Sequence, residues 1–221
     1  MRLSLFITGL MIICSAAGSA QVPVSEEPRH HKVLDNGHVR LLDVHIAPGD
    51  TTKFHIHATP SVFLLLNGAN TGTDVISEED QTKSPVKHYD NIWFEGFYSK
   101  PRIHRVYNRD THEFRVMDIE LTNKNYVELE PPINKPFFVF LFEERPVRAY
   151  RLLSDGTDSI SLPPRKSDML MVLLSDTVSP VLVNKKTFLR QGDFLYLPAG
   201  TGFELSSAGK PKYEFALFEL K

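Results

Sequence analysis

The sequence predicts an all-β chain, on three observations. Outside the first 20 residues no stretch of 12 sustains a 3.6-residue apolar period, so amphipathic helices are not expected. Short runs rich in β-branched and aromatic residues recur instead, punctuated by Gly, Pro, Asn and Asp, as in a sandwich or barrel. The pattern of the first half also returns in the second, which points to a duplicated β unit of about 90 to 100 residues, an ordinary domain size.

Of the 221 residues, Met1 to Ala20 stand apart. One charge (Arg2) precedes an apolar run from Leu3 to Cys14, and small residues end it at Gly18-Ser19-Ala20. That is the layout of a secretory signal, so residues 1–20 are expected to be removed and the mature chain to start at Gln21. The run is too short to span a bilayer, which needs about 20 residues. A lipoprotein signal would acylate a cysteine at this depth, but the residue before Cys14 is the large Ile13. An exported chain fits a secreted or periplasmic location. Without Arg2 the chain has 24 basic residues against 27 acidic ones, a net charge of −3. This lacks the basic footprint that nucleic acid demands. Cys14 is the sole cysteine and leaves with the signal, which excludes a disulfide scaffold, a cysteine nucleophile and a thiolate metal site.

Along the mature chain the expected strands are 39–46, 61–66, 91–94, 114–121, 137–142, 169–174, 194–197 and 213–220. Turns are expected at Pro48-Gly49-Asp50, Asn67-Gly68, Asp155-Gly156 and Gln191-Gly192-Asp193. The stretch from Asn70 to Asp90 is polar, without periodicity, and reads as a surface insertion that could cover a pocket. Three prolines in 128–136 (Pro131, Pro132, Pro136) mark a linker between lobes at 21–127 and 137–221. Across the halves, 113–119 matches 214–220, 90–94 matches 192–196, and 61–66 matches 168–173 in pattern.

All nine histidines lie in the mature chain. His55 and His57 are two apart, so in a strand both imidazoles project from one face while Ile56 takes the other. Two convergent imidazoles are half of a transition-metal site, and His104, at the start of another expected strand, is the best third ligand. Asp50, His45 and His88 are further candidates whose spacing specifies no role. His30, His31 and His38, near the mature N-terminus, are expected to be solvated. Trp93, Phe94, Phe97 and Tyr98 could wall a pocket or be barrel core, where aromatics are common. Lys53, Arg102 and Arg105 could greet an anion; alternation puts Lys53 on the histidine face and turns Arg105 away from His104. Tyr98 or Tyr107 could supply a proton. No Gly-x-Ser-x-Gly elbow, phosphate-binding glycine loop or His-Glu-x-x-His helix is present, which argues against hydrolase, nucleotide and zincin readings.

Gly49, His55, His57 and Gly68 fit the first sequence motif of the cupin superfamily, and Pro101, His104 and Asn108 fit the second apart from a missing glycine. In the second half, 192–203 reproduces the spacing of the second motif, but Phe203 stands in the histidine place and Ser207 in the asparagine place. Leu162 and Pro164 stand where the His-x-His pair would be. The chain therefore resembles a bicupin over roughly residues 33–221, with a degenerate second lobe. That resemblance implies two tandem jelly-roll barrels and a divalent transition metal (Fe, Mn, Zn, Ni or Cu) held by His55, His57 and His104. The glutamate often used after the second histidine is absent, since Ser61 and Val62 occupy its place. The implied partner is a small molecule bound by Lys53, Trp93 and Tyr98. The implied activity is that of an oxygenase, dioxygenase or isomerase, the alternative being a sugar- or anion-binding or structural cupin. Cupins commonly pair through their sheets, so a homodimer is a further expectation.

Overall fold

The computed structural model describes residues 21–77, 87–156, 159–177, 179–207 and 212–221. The expected signal segment lies outside them. The described residues form strands and one short 3-10 turn, with no α-helix among them.

Ten strands build the first lobe: β1 (Val22–Pro23), β2 (His30–Asp35), β3 (Arg40–Ile46), β4 (His55–His57), β5 (Ser61–Asn67), β6 (Thr71–Ser77), β7 (Lys87–Tyr89), β8 (Ile92–Glu95), β9 (Arg102–Asn108) and β10 (Phe114–Glu120). They pair as a four-stranded sheet, β1-β4-β9-β6, facing a six-stranded one, β2-β3-β10-β5-β8-β7. Nine strands build the second: β11 (Phe138–Glu144), β12 (Val147–Ser154), β13 (Ser159–Leu162), β14 (Asp168–Leu173), β15 (Val181–Val183), β16 (Lys186–Phe188), β17 (Phe194–Leu197), β18 (Phe203–Ser207) and β19 (Tyr213–Leu220). Their sheets are β11-β12-β19-β14-β17 and β13-β18-β15-β16. Each lobe is thus a two-sheet β barrel. Gly49 takes φ 73 at the turn before β4, a left-handed conformation open to glycine at no steric cost.

Three apolar clusters hold the molecule together. Leu42, Val44, Ile46, Phe63 and Val116 face the interior of the first barrel. Tyr150, Met171, Phe188, Phe215 and Leu217 fill the second. The third cluster joins the lobes: Leu41, Val62, Phe94 and Ile119 of the first pack against Ala149, Leu170, Val172 and Phe218 of the second. The large sheets are therefore buried on both faces, one toward their own barrel and one toward the other lobe.

That double burial explains several departures from the sequence expectation. Strand β12 was not expected; its burial pattern, BBBBiBeB from Val147 to Ser154, has no polar face to alternate with. The ladders also shift the internal repeat. Ser61 pairs with Glu95 and Glu120, whereas Met169 pairs with Leu197 and Glu219. Ser61 thus corresponds to Met169, one residue from the pattern match, and Glu120 to Glu219, two residues from it. The polar stretch from Asn70 to Asp90 is not an insertion throughout: Thr71–Ser77 and Lys87–Tyr89 are strands at its two ends. Strand β6 is a sheet edge whose residues are all half-buried or exposed, and those on the cavity side include Thr71 and Thr73, so no apolar alternation marks it. The middle of the expected pocket cover, residues 78–86, lies outside the described residues.

Candidate metal centre

Strand β4 is three residues long, and its pattern buries His55 and His57 while Ile56 faces outward. It runs antiparallel to β9, with His55 opposite His104 and His57 opposite Arg102. Three imidazoles thereby converge on the barrel interior, with ring centroids 4.6 Å apart for His55–His104 and 5.0 Å for both other pairs. One nitrogen from each lies within 4.8 Å of the others. The His55 Nδ1–H donates to the Lys53 carbonyl at 2.9 Å, which leaves Nε2 with its lone pair free. Burial pushes the imidazoles of His55, His57 and His104 below their ordinary pKa. All three are then neutral at physiological pH, the form that ligates a metal. His104 Nε2 is buried without a hydrogen-bond partner. A polar atom left this way is costly, and a transition metal accepted by three imidazoles would relieve it. The donor set fits such an ion.

The histidines line a cavity of about 330 Å³. Val44, Ile46, Phe63, Val106 and Val116 supply its apolar wall, with Thr71 and Thr73 from β6. At one side the Trp93 indole stacks on Phe63, centroids 5.2 Å apart, and donates to Glu95 Oε1 at 3.0 Å. Glu95 Oε2 meets the Arg102 guanidinium at 2.5 Å. The cavity thus holds one guanidinium–carboxylate pair next to His57.

Other expected residues lie elsewhere. Lys53 is exposed and off the cavity, because β4 begins only at His55 and strand alternation does not extend back to it. Tyr98 is 42% exposed and borders a surface hollow with Arg40 and Tyr126. Phe94 turns to the core between the lobes. Arg105 pairs outward with Asp74 at 2.7 Å. Asp50 is clamped by Arg29 at 2.7 and 2.9 Å; it, His45 and His88 do not line the cavity. His38 meets Asp168 of the other lobe at 2.8 Å. His30, expected in solvent, is 8% exposed and lines the cavity, its ring centroid 4.8 Å from that of His55. It is drawn in because β2 pairs with β3, placing His30 opposite Val44 on the interior face. Asp118 was also not foreseen. It lies 1% exposed on the cavity wall, with Oδ2 3.4 Å from His57 Nδ1.

No protein-family model matches the sequence, and no curated protein matches it. Solved structures do resemble it. Salicylate 1,2-dioxygenase from Pseudoaminobacter salicylatoxidans, solved with gentisate, superposes with a TM-score of 0.54 at 11% identity over 83% of this chain and 68% of its own. AerE from Microcystis aeruginosa superposes with a TM-score of 0.51 at 12% identity over 88% of this chain and 98% of its own. With two tandem barrels and a histidine cluster in one of them, the architecture is settled. This chain has the bicupin fold.

Within this fold, the second lobe shows what the first would be without its site. Leu162 pairs with Phe203 as His55 pairs with His104, and both are buried in the second core. By the same ladders Met171 answers Phe63, Leu195 answers Trp93, Leu197 answers Glu95, and Leu217 answers Asp118. Val181 and Val183 take the places of Thr71 and Thr73. Apolar side chains thus replace the polar residues of the cavity. Among the described residues, no helix is long and apolar enough to cross a membrane.

Proposed function

We propose that this bicupin is an exported metal-dependent enzyme of oxygenase type, acting on a small organic molecule in the first-lobe cavity. The observation that carries the reading is three neutral imidazoles, His55, His57 and His104, converging within 4.8 Å on a largely apolar chamber. They would hold one divalent ion of Fe, Mn, Zn, Ni or Cu. Bound there, the metal would supply Lewis acidity or, as iron, oxygen chemistry. Without a carboxylate ligand the ion keeps its full charge, which favours a chelating or anionic group on the substrate.

The chain's own residues do the rest. A volume of about 330 Å³ lies at the small end of ligand pockets and suits a molecule of about one ring. Trp93 and Phe63 offer a stacked aromatic wall to its flat face. Arg102, already beside Glu95, can reorient its remaining donors toward an anionic substituent. The apolar walls exclude bulk water around the reacting atoms. Two solved structures of this fold bear on the reading, since one is named as a dioxygenase and was solved with gentisate. A second reading, a non-catalytic binder, draws on the second lobe, where the chemistry has been replaced by core.

Elemental analysis of protein prepared without a polyhistidine tag tests the proposal, beside a His55→Ala/His57→Ala/His104→Ala variant. About one transition metal per chain, lost in the variant, is expected. Wild type that stays metal-free after incubation with Fe, Mn, Ni and Zn would leave the binder reading in its place.

A further inference from the structure

We propose that Asp118 is the positioning residue of this centre: its carboxylate accepts the Nδ1 proton of His57 and thereby presents Nε2 to the metal. The inference rests on the metal reading above and adds an outer carboxylate to it.

Geometry supplies the first argument. Asp118 projects from β10 into the barrel and is 1% exposed. Its Oδ2 stands 3.4 Å from His57 Nδ1. Both carboxylate oxygens and that nitrogen are buried with no hydrogen-bond partner. Each is expensive to leave so, and the two face each other across that gap. The gap is slightly longer than a good N–H···O bond of about 2.9 Å, so a shift of about half an ångström closes it. Asp118 is not among the residues whose ligand atoms converge within 4.8 Å; it stands behind a histidine instead. His55 is treated alike, its Nδ1–H held by the Lys53 carbonyl. An oxygen behind a ligating imidazole fixes the tautomer and raises the basicity of the other nitrogen.

The second argument comes from the duplicated lobe, which separates scaffold from centre. Two acidic residues of β10 point into the first barrel, Asp118 and Glu120. Glu120 pairs with Arg40 at 2.9 Å, and its counterpart Glu219 pairs with Arg148 at 3.2 Å; Arg40 faces Glu120 across the ladder just as Arg148 faces Glu219. This acid–guanidinium pair is present in both lobes, so the barrel uses it whether or not a histidine site exists. Asp118 instead has the counterpart Leu217. It is present where His55, His57 and His104 are present, and missing where Leu162, Pro164 and Phe203 replace them. A carboxylate required by the barrel would be found in both lobes; one required by the histidines is found in one.

The test measures cobalt(II) affinity by competition with a chromophoric chelator. It also reads the His57 tautomer in metal-free protein by long-range proton–nitrogen NMR. Asp118→Leu, which installs the second lobe's residue, is expected to weaken cobalt binding 10- to 100-fold and to shift His57 from the Nδ1–H toward the Nε2–H tautomer. The nearly isosteric Asp118→Asn keeps the test open should the leucine variant misfold, and Asp118→Glu should recover part of the affinity. Glu120→Gln, which breaks the pair common to both lobes, should lower the melting temperature while moving cobalt affinity far less than Asp118→Leu does. Wild type that binds cobalt, with Asp118→Leu and Asp118→Asn binding within twofold of it, overturns the positioning role alone. Wild type that binds no cobalt overturns the metal reading, and this proposal with it.

Discussion

His104 and Phe203 occupy the same place in two copies of one barrel, and the difference between them is a choice between function and packing. The imidazole keeps Nε2 buried and unpartnered, at a cost of about 1–3 kcal/mol for such a group. The phenyl ring of Phe203, 2% exposed, carries no such atom. His104→Phe should therefore abolish metal binding while the metal-free protein melts a few degrees above wild type. A melting curve recorded with chelator present, beside metal content, checks both halves. The same comparison accounts for Asp118 and Leu217, Glu95 and Leu197, Thr73 and Val183. At each pair the first lobe keeps a polar group on the cavity wall, and the second has given it up for core. Equal stability of the two side chains at position 104 would mean that the imidazole already has a partner in the metal-free protein.

At the scale of elements, strands β12 and β19 carry a buried ionic network that ties down the segment joining the lobes. Glu219 is fully buried and accepts from Arg165 Nε at 2.7 Å, the Tyr150 hydroxyl at 2.9 Å and Arg148 Nη1 at 3.2 Å. The same three residues reach the chain at 130–133. Arg148 donates to the Glu130 carbonyl, Arg165 donates to the Pro131 carbonyl, and the Tyr150 hydroxyl accepts from the Ile133 N–H. The proline-rich segment is thus bound along the second lobe. Glu219→Leu would leave Arg148 with Glu143 at 2.8 Å and Arg165 with Glu130 at 3.6 Å, but it removes the buried acceptor the two share, and removing one partner of a buried pair costs up to about 3–5 kcal/mol. Chemical denaturation should show the midpoint falling accordingly. A loss below about 1 kcal/mol would mean that Glu143 and Glu130 suffice for the two guanidinium groups.

For the whole molecule, the lobes share one apolar core and a set of polar ties. Arg115 forms a double hydrogen bond with Asp43 at 2.8 and 3.0 Å and donates to the Gln191 carbonyl at 3.0 Å. The Gln191 amide in turn donates to the Leu66 and Leu174 carbonyls, both at 2.8 Å, one from each lobe. Gly192, at φ 90, gives the guanidinium room, since a Cβ there would come within 2.5 Å of it. Burial alone would raise the Asp43 carboxyl, but the hydrogen bonds and charge of Arg115 outweigh it and hold the pKa below the ordinary carboxylate value. A depressed folded-state pKa means that the unfolded chain binds the proton more readily. The stabilisation is therefore complete above the unfolded pKa of about 4 and is lost as pH falls through the folded value. Asp43→Asn should lower stability at pH 7 and narrow its difference from wild type as pH drops below about 4. Denaturation midpoints across that range check the sign; a difference that grows in acid would contradict it.

The sequence alone determined the features that depend on local spacing and chemistry. All-β character follows from missing helical periodicity and frequent turn residues. The placing of His55 and His57 on one face follows from the two-residue period of a strand. The loss of the site in the second lobe was legible because Phe203 stands where a histidine belongs. Tertiary structure decided whatever depends on which sheet covers which face. The doubly buried strands β5, β14 and β19 have no polar face to anchor their register, so the repeat could be matched only to within two residues until the ladders placed it. Glu120 then aligned with Glu219, leaving Asp118 to align with a leucine. His30 entered the cavity through a ladder with β3, and Lys53 left it because its strand starts two residues later. Strand parity is written in neighbouring residues; burial is written in partners far along the chain.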